Sequence, residues 1–151
     1  FPKIYGAFYK LTDTRIVNVL LNFPFFFSRR KVSKLITEIK PDVIVATDAL
    51  STRIISELKK KGLNIPYILI VTDFKAHYTY ISNYVDAYIT GSEYTKKSLI
   101  ERNIDEEKIY PLGIPINKKF YTEITNASEL KDKTYFNLLL MSGSLGLNQI
   151  S

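Results

Sequence analysis

An aspartate and the only histidine of the chain lie four residues apart in the segment Val71-Thr72-Asp73-Phe74-Lys75-Ala76-His77. A carboxylate beside an imidazole raises the basicity of the ring and fixes its tautomer, which suits proton transfer or substrate orientation. An aspartate after a strand is equally typical of a helix cap or a turn, and a lone histidine is commonly a surface residue. Asp73 and His77 are therefore candidate catalytic residues, with a structural role as the alternative.

A second candidate site is a glycine-containing loop near residue 145. The run Leu138-Leu139-Leu140-Met141 predicts a buried strand that leads into a loop containing Gly143, Ser144 and Gly146. Backbone N–H groups of such a loop bind a diphosphate when a helix follows. The pattern is neither a complete dinucleotide fingerprint nor a P-loop, so it indicates a simple turn as readily as a nucleotide site.

A third candidate combines aromatic rings with cations in one short segment: Phe23, Phe25, Phe26, Phe27, Arg29, Arg30 and Lys31. These residues suit an interfacial contact with an anionic membrane, with the rings among the headgroups and the cations on the lipid phosphates. Burial of the rings in a core, with the cations on a solvated helix, is the equal alternative. Nucleic acid is disfavoured, because residues 41–151 hold thirteen basic and thirteen acidic side chains and add no net charge.

Composition excludes several classes of protein. The 151 residues carry a net charge of +6, and no cysteine is available for disulfides or thiolate zinc sites. A single histidine excludes a multi-histidine metal centre, and no Asp-x-Asp pair occurs, so we expect neither a metal nor a cofactor. The longest apolar stretch, 16–27, contains two asparagines and is too short to span a bilayer.

Strands and helices alternate in the middle of the chain. Val43 to Thr47 predicts a strand buried on both faces, and Leu50, Ile54 and Leu58 lie on one face of a helix that Gly62 ends. The remaining elements are predicted strands at 67–71, 87–90 and 108–112 and a helix from Ser92 to near Asn103. This alternation predicts an α/β fold with a doubly wound parallel sheet, whose ligands gather at the carboxyl ends of the strands.

Four ordered segments resemble the monogalactosyldiacylglycerol synthase family, which includes bacterial processive diacylglycerol glucosyltransferases. They are Lys40 to Val45, Val71 to His77, Ser92 to Lys96, and Gly113-Ile114-Pro115-Ile116 with Phe120. Leu138 to Leu147 is similar to the glycine-rich loop that opens the family's nucleotide-sugar domain. The lipid-intermediate N-acetylglucosaminyltransferase of peptidoglycan synthesis is a related two-domain enzyme, but the Thr-Asp-Phe and Gly-Ile-Pro-Ile segments are closer to the diacylglycerol enzymes.

The resemblance implies a truncated GT-B glycosyltransferase with two Rossmann-like domains. Residues 1–120 would form the acceptor domain without its first strand, 121–135 a linker, and 136–151 the start of the nucleotide-sugar domain. The implied reaction is inverting hexose transfer from a UDP-sugar to diacylglycerol or a glycosyl-diacylglycerol, and a fragment lacking one wall of the cleft is expected to be inactive. Implied substrate-binding residues are Thr72, Phe74, Gly113 and Pro115.

The sequence leaves two points open, the identity of the base and the alternative function. The family's first glycine-rich loop ends in a histidine that has no counterpart in this chain, and that histidine competes with Asp73 and His77 for the role of base. The alternative function is a non-catalytic α/β module whose basic aromatic end docks a membrane or a protein. For the enzyme we expect a cytoplasmic location, peripheral on the inner face of the plasma membrane.

Overall fold

The structure, a computed structural model, describes residues 26–121, 134–136 and 138. Contacts divide the chain into two units, of which the larger comprises Lys3–Ile114, and Pro115–Ser151 belong to the smaller. The α-helices and strands of the described residues all lie in the larger unit. In the smaller unit the described residues include a short 3-10 helix, Lys118–Tyr121. The predicted boundaries at 120 and 135 stay a prediction.

The larger unit alternates helices with short strands. In chain order the helices and strands are α1 (Phe26–Ile39), β1 (Ile44–Ala46), α2 (Ala49–Lys60), β2 (Tyr67–Val71), β3 (Ala87–Thr90), α3 (Glu93–Ile100) and β4 (Ile109–Tyr110). Single 3-10 turns lie at Tyr78–Tyr80 and Glu106–Lys108. The described strands form one parallel sheet in the order β1-β2-β3-β4. The predicted α/β fold with a parallel sheet is confirmed.

One face of the sheet carries the hydrophobic core. Side-by-side partners in a parallel sheet share a face, so the register places Leu69 and Tyr88 on the same side, and both are buried. Ile55 of α2 and Leu99 of α3 belong to the same buried cluster. Right-handed crossovers between strands in sequential order bring both helices to this one face.

The sequence located α2 correctly. Asp48 caps its first turn, since its carboxylate accepts a hydrogen bond from the Ser51 N–H at 3.0 Å. The helix ends at Lys60, and Gly62 follows with φ of +104°, a conformation that glycine adopts without strain. Of the predicted apolar face, Ile54 is buried, whereas Leu50 is 44% exposed.

The predicted two-sided burial of the first strand is wrong. Val45 of β1 is 53% exposed and Val43, just before the strand, is 43% exposed. These valines are exposed because β1 lies at the edge of the described sheet. Its second face has no described helix packed on it, so the apolar run there reports β propensity rather than complete burial.

The last two predicted elements are shorter than the sequence indicates. Helix α3 ends at Ile100, and a further turn carries the chain to Asn103, whose φ is +63°. Strand β4 contains two residues instead of the predicted five. Both differences lie at element ends, where capping and pairing with a neighbour decide the length.

Candidate functional site

The carboxyl edge of the sheet brings the ends of all four described strands together. Thr72 follows β2, and its hydroxyl donates a hydrogen bond to the carbonyl of Thr47 after β1 at 3.4 Å. After β4, the Gly113 N–H donates to the carbonyl of Thr90 at 3.0 Å. The predicted gathering of polar loops at this edge is therefore present in the larger unit, and the 72–77 segment lies in its middle.

The segment 72–77 does not turn helically. It consists of bends, and the first helical turn is the 3-10 turn Tyr78–Tyr80. The four-residue spacing of Asp73 and His77 therefore does not place the two side chains on one helical face. No hydrogen bond or ion pair joins their side chains in the part of the chain that the structure describes. Tertiary hydrogen bonds to α3, rather than local helix formation, decide this conformation.

Two buried hydroxyls of α3 hold this segment in place. Thr95 donates its hydroxyl proton to the Phe74 carbonyl at 2.9 Å. Ser98 accepts a hydrogen bond from the Ala76 N–H at 3.0 Å and donates to the Thr95 carbonyl at 2.7 Å. Thr95, Ser98 and Ala76 are all nearly inaccessible to water, which makes these bonds costly to break. Sequence reasoning missed both α3 residues, because the contacts span more than twenty positions.

His77 is 4% exposed and acts as a local cap. Its Nδ1 accepts a hydrogen bond from the Thr79 N–H at 3.2 Å and lies 2.8 Å from the Thr79 hydroxyl. A backbone N–H can only donate, so Nδ1 is the acceptor of this hydrogen bond. The ring of His77 thus holds the turn that follows it, which suits a positioning role.

Asp73 is half-buried and lies immediately after the end of β2. Among the described residues its carboxylate has no hydrogen-bond donor or cation as a partner, in contrast to Asp48 and Asp105, whose carboxylates both accept N–H groups of turns. Asp73 therefore caps no helix among the described residues, but it lies in the bends that follow β2, as the alternative of a turn residue allows. A carboxylate held at a strand end with spare acceptor capacity can bind a hydroxyl group.

Exposed apolar side chains line the same edge. Phe74 is 81% exposed, and its ring lies 5.4 Å from the ring of Tyr94 in the first turn of α3, at an interplanar angle of 38°. After β4, Leu112 is 74% exposed and Ile114 is 42% exposed. Tyr94 is a residue of this edge that sequence reasoning did not select, because it falls on the exposed side of α3.

The remaining predicted substrate residues differ in location. Gly113 belongs to the carboxyl edge and has a φ of +91°, which favours glycine at this turn. Pro115 is exposed and belongs to the smaller unit. The predicted nucleotide-binding residues Gly143, Ser144 and Gly146 lie outside the described residues.

The basic segment after residue 28 forms one wall of a groove. A space of about 780 Å³ lies between α1 and the end of α2, and its lining is mostly cationic: Arg29, Arg30, Lys31, Ser33, Lys34, Leu58 and Lys61. Glu57 is the nearby counter-charge, 3.7 Å from Arg29. Of the predicted membrane-contacting rings, Phe23 and Phe25 lie outside the described residues, and Phe26 and Phe27 are described only as the backbone of the first turn of α1.

Two features are absent from residues 26–121, 134–136 and 138. They contain no cluster of three or more histidine, cysteine, aspartate or glutamate side chains that could hold a metal ion. They also contain no helix whose length and apolar character would allow it to cross a bilayer.

Comparison with known proteins identifies similar sequences. The family model for monogalactosyldiacylglycerol (MGDG) synthase matches residues 1–116. A processive diacylglycerol beta-glucosyltransferase of Bacillus cytotoxicus is 34% identical over 133 residues, which are 85% of this chain and 32% of that protein. The enzyme of the same name from Bacillus mycoides is 31% identical over 156 residues, 96% of this chain and 38% of its own length.

A third relative is named only by its general activity. The uncharacterized glycosyltransferase YkoN of Bacillus subtilis is 26% identical over 153 residues, which cover 99% of this chain and 40% of the relative. The chain thus spans between about a third and two fifths of the length of these three curated relatives.

Proposed function

The chain belongs to the monogalactosyldiacylglycerol synthase family, and we propose that it is the acceptor-binding part of an enzyme that transfers a hexose from a UDP-sugar to diacylglycerol. Two relatives named as diacylglycerol glucosyltransferases support the acceptor and the reaction class. One observation in the structure carries the proposal. At the carboxyl edge, a segment fixed by α3 carries a half-buried carboxylate, Asp73, and, at the next position in the sequence, an exposed apolar ring, Phe74.

A carboxylate next to an apolar ring suits an acceptor that has both a polar hydroxyl group and an apolar part. Transfer with inversion requires a group that accepts the proton of the acceptor hydroxyl as the sugar carbon is attacked from the face opposite the leaving group. We assign to Asp73 the hydrogen bond from that hydroxyl. We assign to His77 a positioning role, because its ring caps the turn that follows and its Nδ1 is already occupied by Thr79.

The departing diphosphate requires a second set of groups. We propose that the glycine-rich loop with Gly143, Ser144 and Gly146 supplies backbone N–H groups to the phosphates of the UDP-sugar. Substitution of either glycine by a bulky residue is then expected to weaken UDP binding by calorimetry in the complete protein. Unchanged affinity with an intact fold would leave the loop as a turn.

A kinetic experiment tests the proposed roles of Asp73 and His77. In the protein expressed from its complete reading frame, Asp73→Asn should lower sugar transfer to diacylglycerol about 100-fold, the scale of general acid–base assistance. The melting temperature should stay nearly constant, because the carboxylate has no described partner to lose. Asp42→Asn, at an exposed position before β1, is the matched control and should retain its rate.

Two variants of His77 separate positioning from proton transfer. Asparagine is a strong capping residue, so His77→Asn can still accept the Thr79 N–H and should recover most of the rate. His77→Ala should lose about 100-fold, the scale expected when reacting groups are misplaced. Equal losses in both variants would show that the imidazole itself is required. Normal rates in both single variants, Asp73→Asn and His77→Ala, would show that other residues catalyse the reaction.

We further propose a cytoplasmic enzyme that binds the inner face of the plasma membrane through the basic groove between α1 and α2. Each cation near an anionic surface contributes about 1 kcal/mol, and salt screens the attraction. Flotation with phosphatidylglycerol vesicles should therefore fall as salt rises, and replacing Arg29, Arg30 and Lys31 with serine should reduce it. A charge-matched control replaces the exposed lysines Lys97, Lys118 and Lys119, and equal flotation of the two variants would refute the assignment.

A further inference from the structure

The backbone that carries the exposed Phe74 ring is held by hydrogen bonds to α3. The Phe74 carbonyl accepts a hydrogen bond from Thr95, and the Ala76 N–H is bound to Ser98. The Phe74 ring contacts the ring of Tyr94, which lies in the first turn of α3, two residues after the capping residue Ser92. The centroid separation of 5.4 Å is typical of a favourable aromatic contact.

Further apolar surface lies along the same edge after β4. Ile114 approaches Gly91 so closely that a Cβ added there would lie 3.1 Å from the isoleucine side chain. Leu112 precedes it and is 74% exposed. Scattered exposed apolar residues need no explanation, but several that are fixed at the ligand-binding edge of an α/β sheet indicate a binding surface.

We propose that the Phe74–Tyr94 pair receives the acyl chains of the lipid acceptor next to the reacting hydroxyl. The inference rests on the proposed function and adds to it the residues that select a lipid acceptor. In diacylglycerol the free hydroxyl and the nearest ester lie on adjacent carbons. A hydroxyl bound at Asp73 therefore brings the first methylenes of a chain beside the following residue, Phe74.

The composition of the surface favours acyl chains over a sugar ring. Phenylalanine has no polar group with which to bind sugar hydroxyls, and Leu112 and Ile114 are aliphatic, so the Tyr94 hydroxyl is the one polar group among these four exposed side chains. Sugar recognition depends on placed hydrogen-bonding groups, whereas a chain of methylenes needs only apolar area. The acceptor's chains therefore match this surface better than its headgroup does.

Acceptors of different chain length provide the test, in the protein expressed from its complete reading frame with UDP-glucose as donor. Dioctanoylglycerol presents methylene chains and diacetylglycerol does not, while both present the same hydroxyl. Phe74→Ser and Tyr94→Ser should each lower kcat/KM for dioctanoylglycerol about tenfold, as expected for loss of one ring's apolar contact. Both should stay within about twofold of the parent for diacetylglycerol and for the KM of the donor.

Two further variants act as controls. Phe74→Leu keeps an apolar side chain and should retain most of the activity on dioctanoylglycerol. Tyr84→Ser removes a ring that is 39% exposed and lies before β3, at the opposite end of the strands, and should change neither acceptor. Melting temperatures of the variants should match the parent, because the rings are exposed.

The outcomes separate the inference from the proposed function. An equal loss of activity with both acceptors would overturn the inference, and so would such a loss together with a lowered melting temperature. The rings would then position the loop, bind sugar or contact another part of the protein. Unchanged kinetics for dioctanoylglycerol would also overturn it. A parent protein that glycosylates neither acceptor would overturn the proposed function, and the inference with it.

Discussion

Replacing Ser98 with alanine removes the hydroxyl that fixes the 72–77 segment to α3. The serine oxygen is the acceptor for the Ala76 N–H, and neither residue is accessible to water, so water cannot replace the lost partner. A buried donor left unsatisfied costs about 1 to 3 kcal/mol. Alanine has a higher helix propensity than serine, and this offsets a few tenths of a kcal/mol of the lost stability within α3. We therefore expect the free energy of unfolding to fall by about 1 to 2.5 kcal/mol.

Urea denaturation followed by circular dichroism measures this loss, and the expected signature is a lower midpoint with an unchanged slope. Ser33→Ala on α1 is the matched control, because it gives the same helix-propensity gain and should be neutral or slightly stabilising. Amide exchange adds a local readout, since protection of the Ala76 N–H should fall in Ser98→Ala more than protection of β2. A loss below about 0.5 kcal/mol with normal protection at Ala76 would refute the claim that this bond fixes the loop.

The remaining predictions concern buried phenols and one ion pair. Burial raises the pKa of Tyr67 to about 12, and the nearby Thr52 hydroxyl opposes this only in part because neither hydroxyl makes a hydrogen bond of good geometry among the described residues, so Tyr67→Phe should leave the unfolding free energy unchanged or increase it in urea melts. Tyr88→Phe should instead cost about 1 to 3 kcal/mol, because that hydroxyl accepts the Ser82 N–H and donates to the Tyr80 and Ser82 carbonyls; equal effects of the two substitutions would contradict this. Partial burial raises the pKa of Asp86, but the Lys59 ammonium and the Tyr67 N–H outweigh it and leave that pKa below its ordinary value. A carboxyl group whose pKa is lowered by folding stabilises the protein at a pH above its ordinary pKa, and this stability is lost as the pH falls through the pKa of the folded state. Asp86→Asn should therefore flatten the loss of stability between about pH 5 and pH 2. A variant with the same acid profile as the parent would exclude this role.

Local signals in the sequence determined the elements of the larger unit. Helix α2 could be located because its apolar spacing, its capping aspartate and the glycine beyond its end all act within a few residues. Parallel strands β2 and β3 follow from short β-branched and apolar runs separated by crossovers. The family resemblance also rested on short ordered motifs, and the match of residues 1–116 to the family model bears it out.

Only the tertiary structure decided how the candidate site is arranged. Asp73 and His77 are four residues apart, a spacing compatible with one helical face, but hydrogen bonds with Thr95 and Ser98 hold the intervening chain in bends, and His77 is turned toward Thr79. Those bonds join positions more than twenty residues apart. Their energy depends on burial of both partners, a quantity that no local pattern contains.

The exposures of Val45 and Phe74 show the same limit. The apolar run of the first strand predicts that Val45 is buried, yet 53% of it remains accessible, and Phe74, which follows β2, is 81% accessible. Whether an apolar side chain is covered depends on which elements pack over its strand and which edge of the sheet it occupies. The sequence by itself determined where α2, α3 and the strands lie, because propensity and capping are local, although it did not assign α1 its bounds and made β4 too long. Tertiary packing alone decided which side chains stay exposed at the carboxyl edge, because that depends on contacts between distant segments.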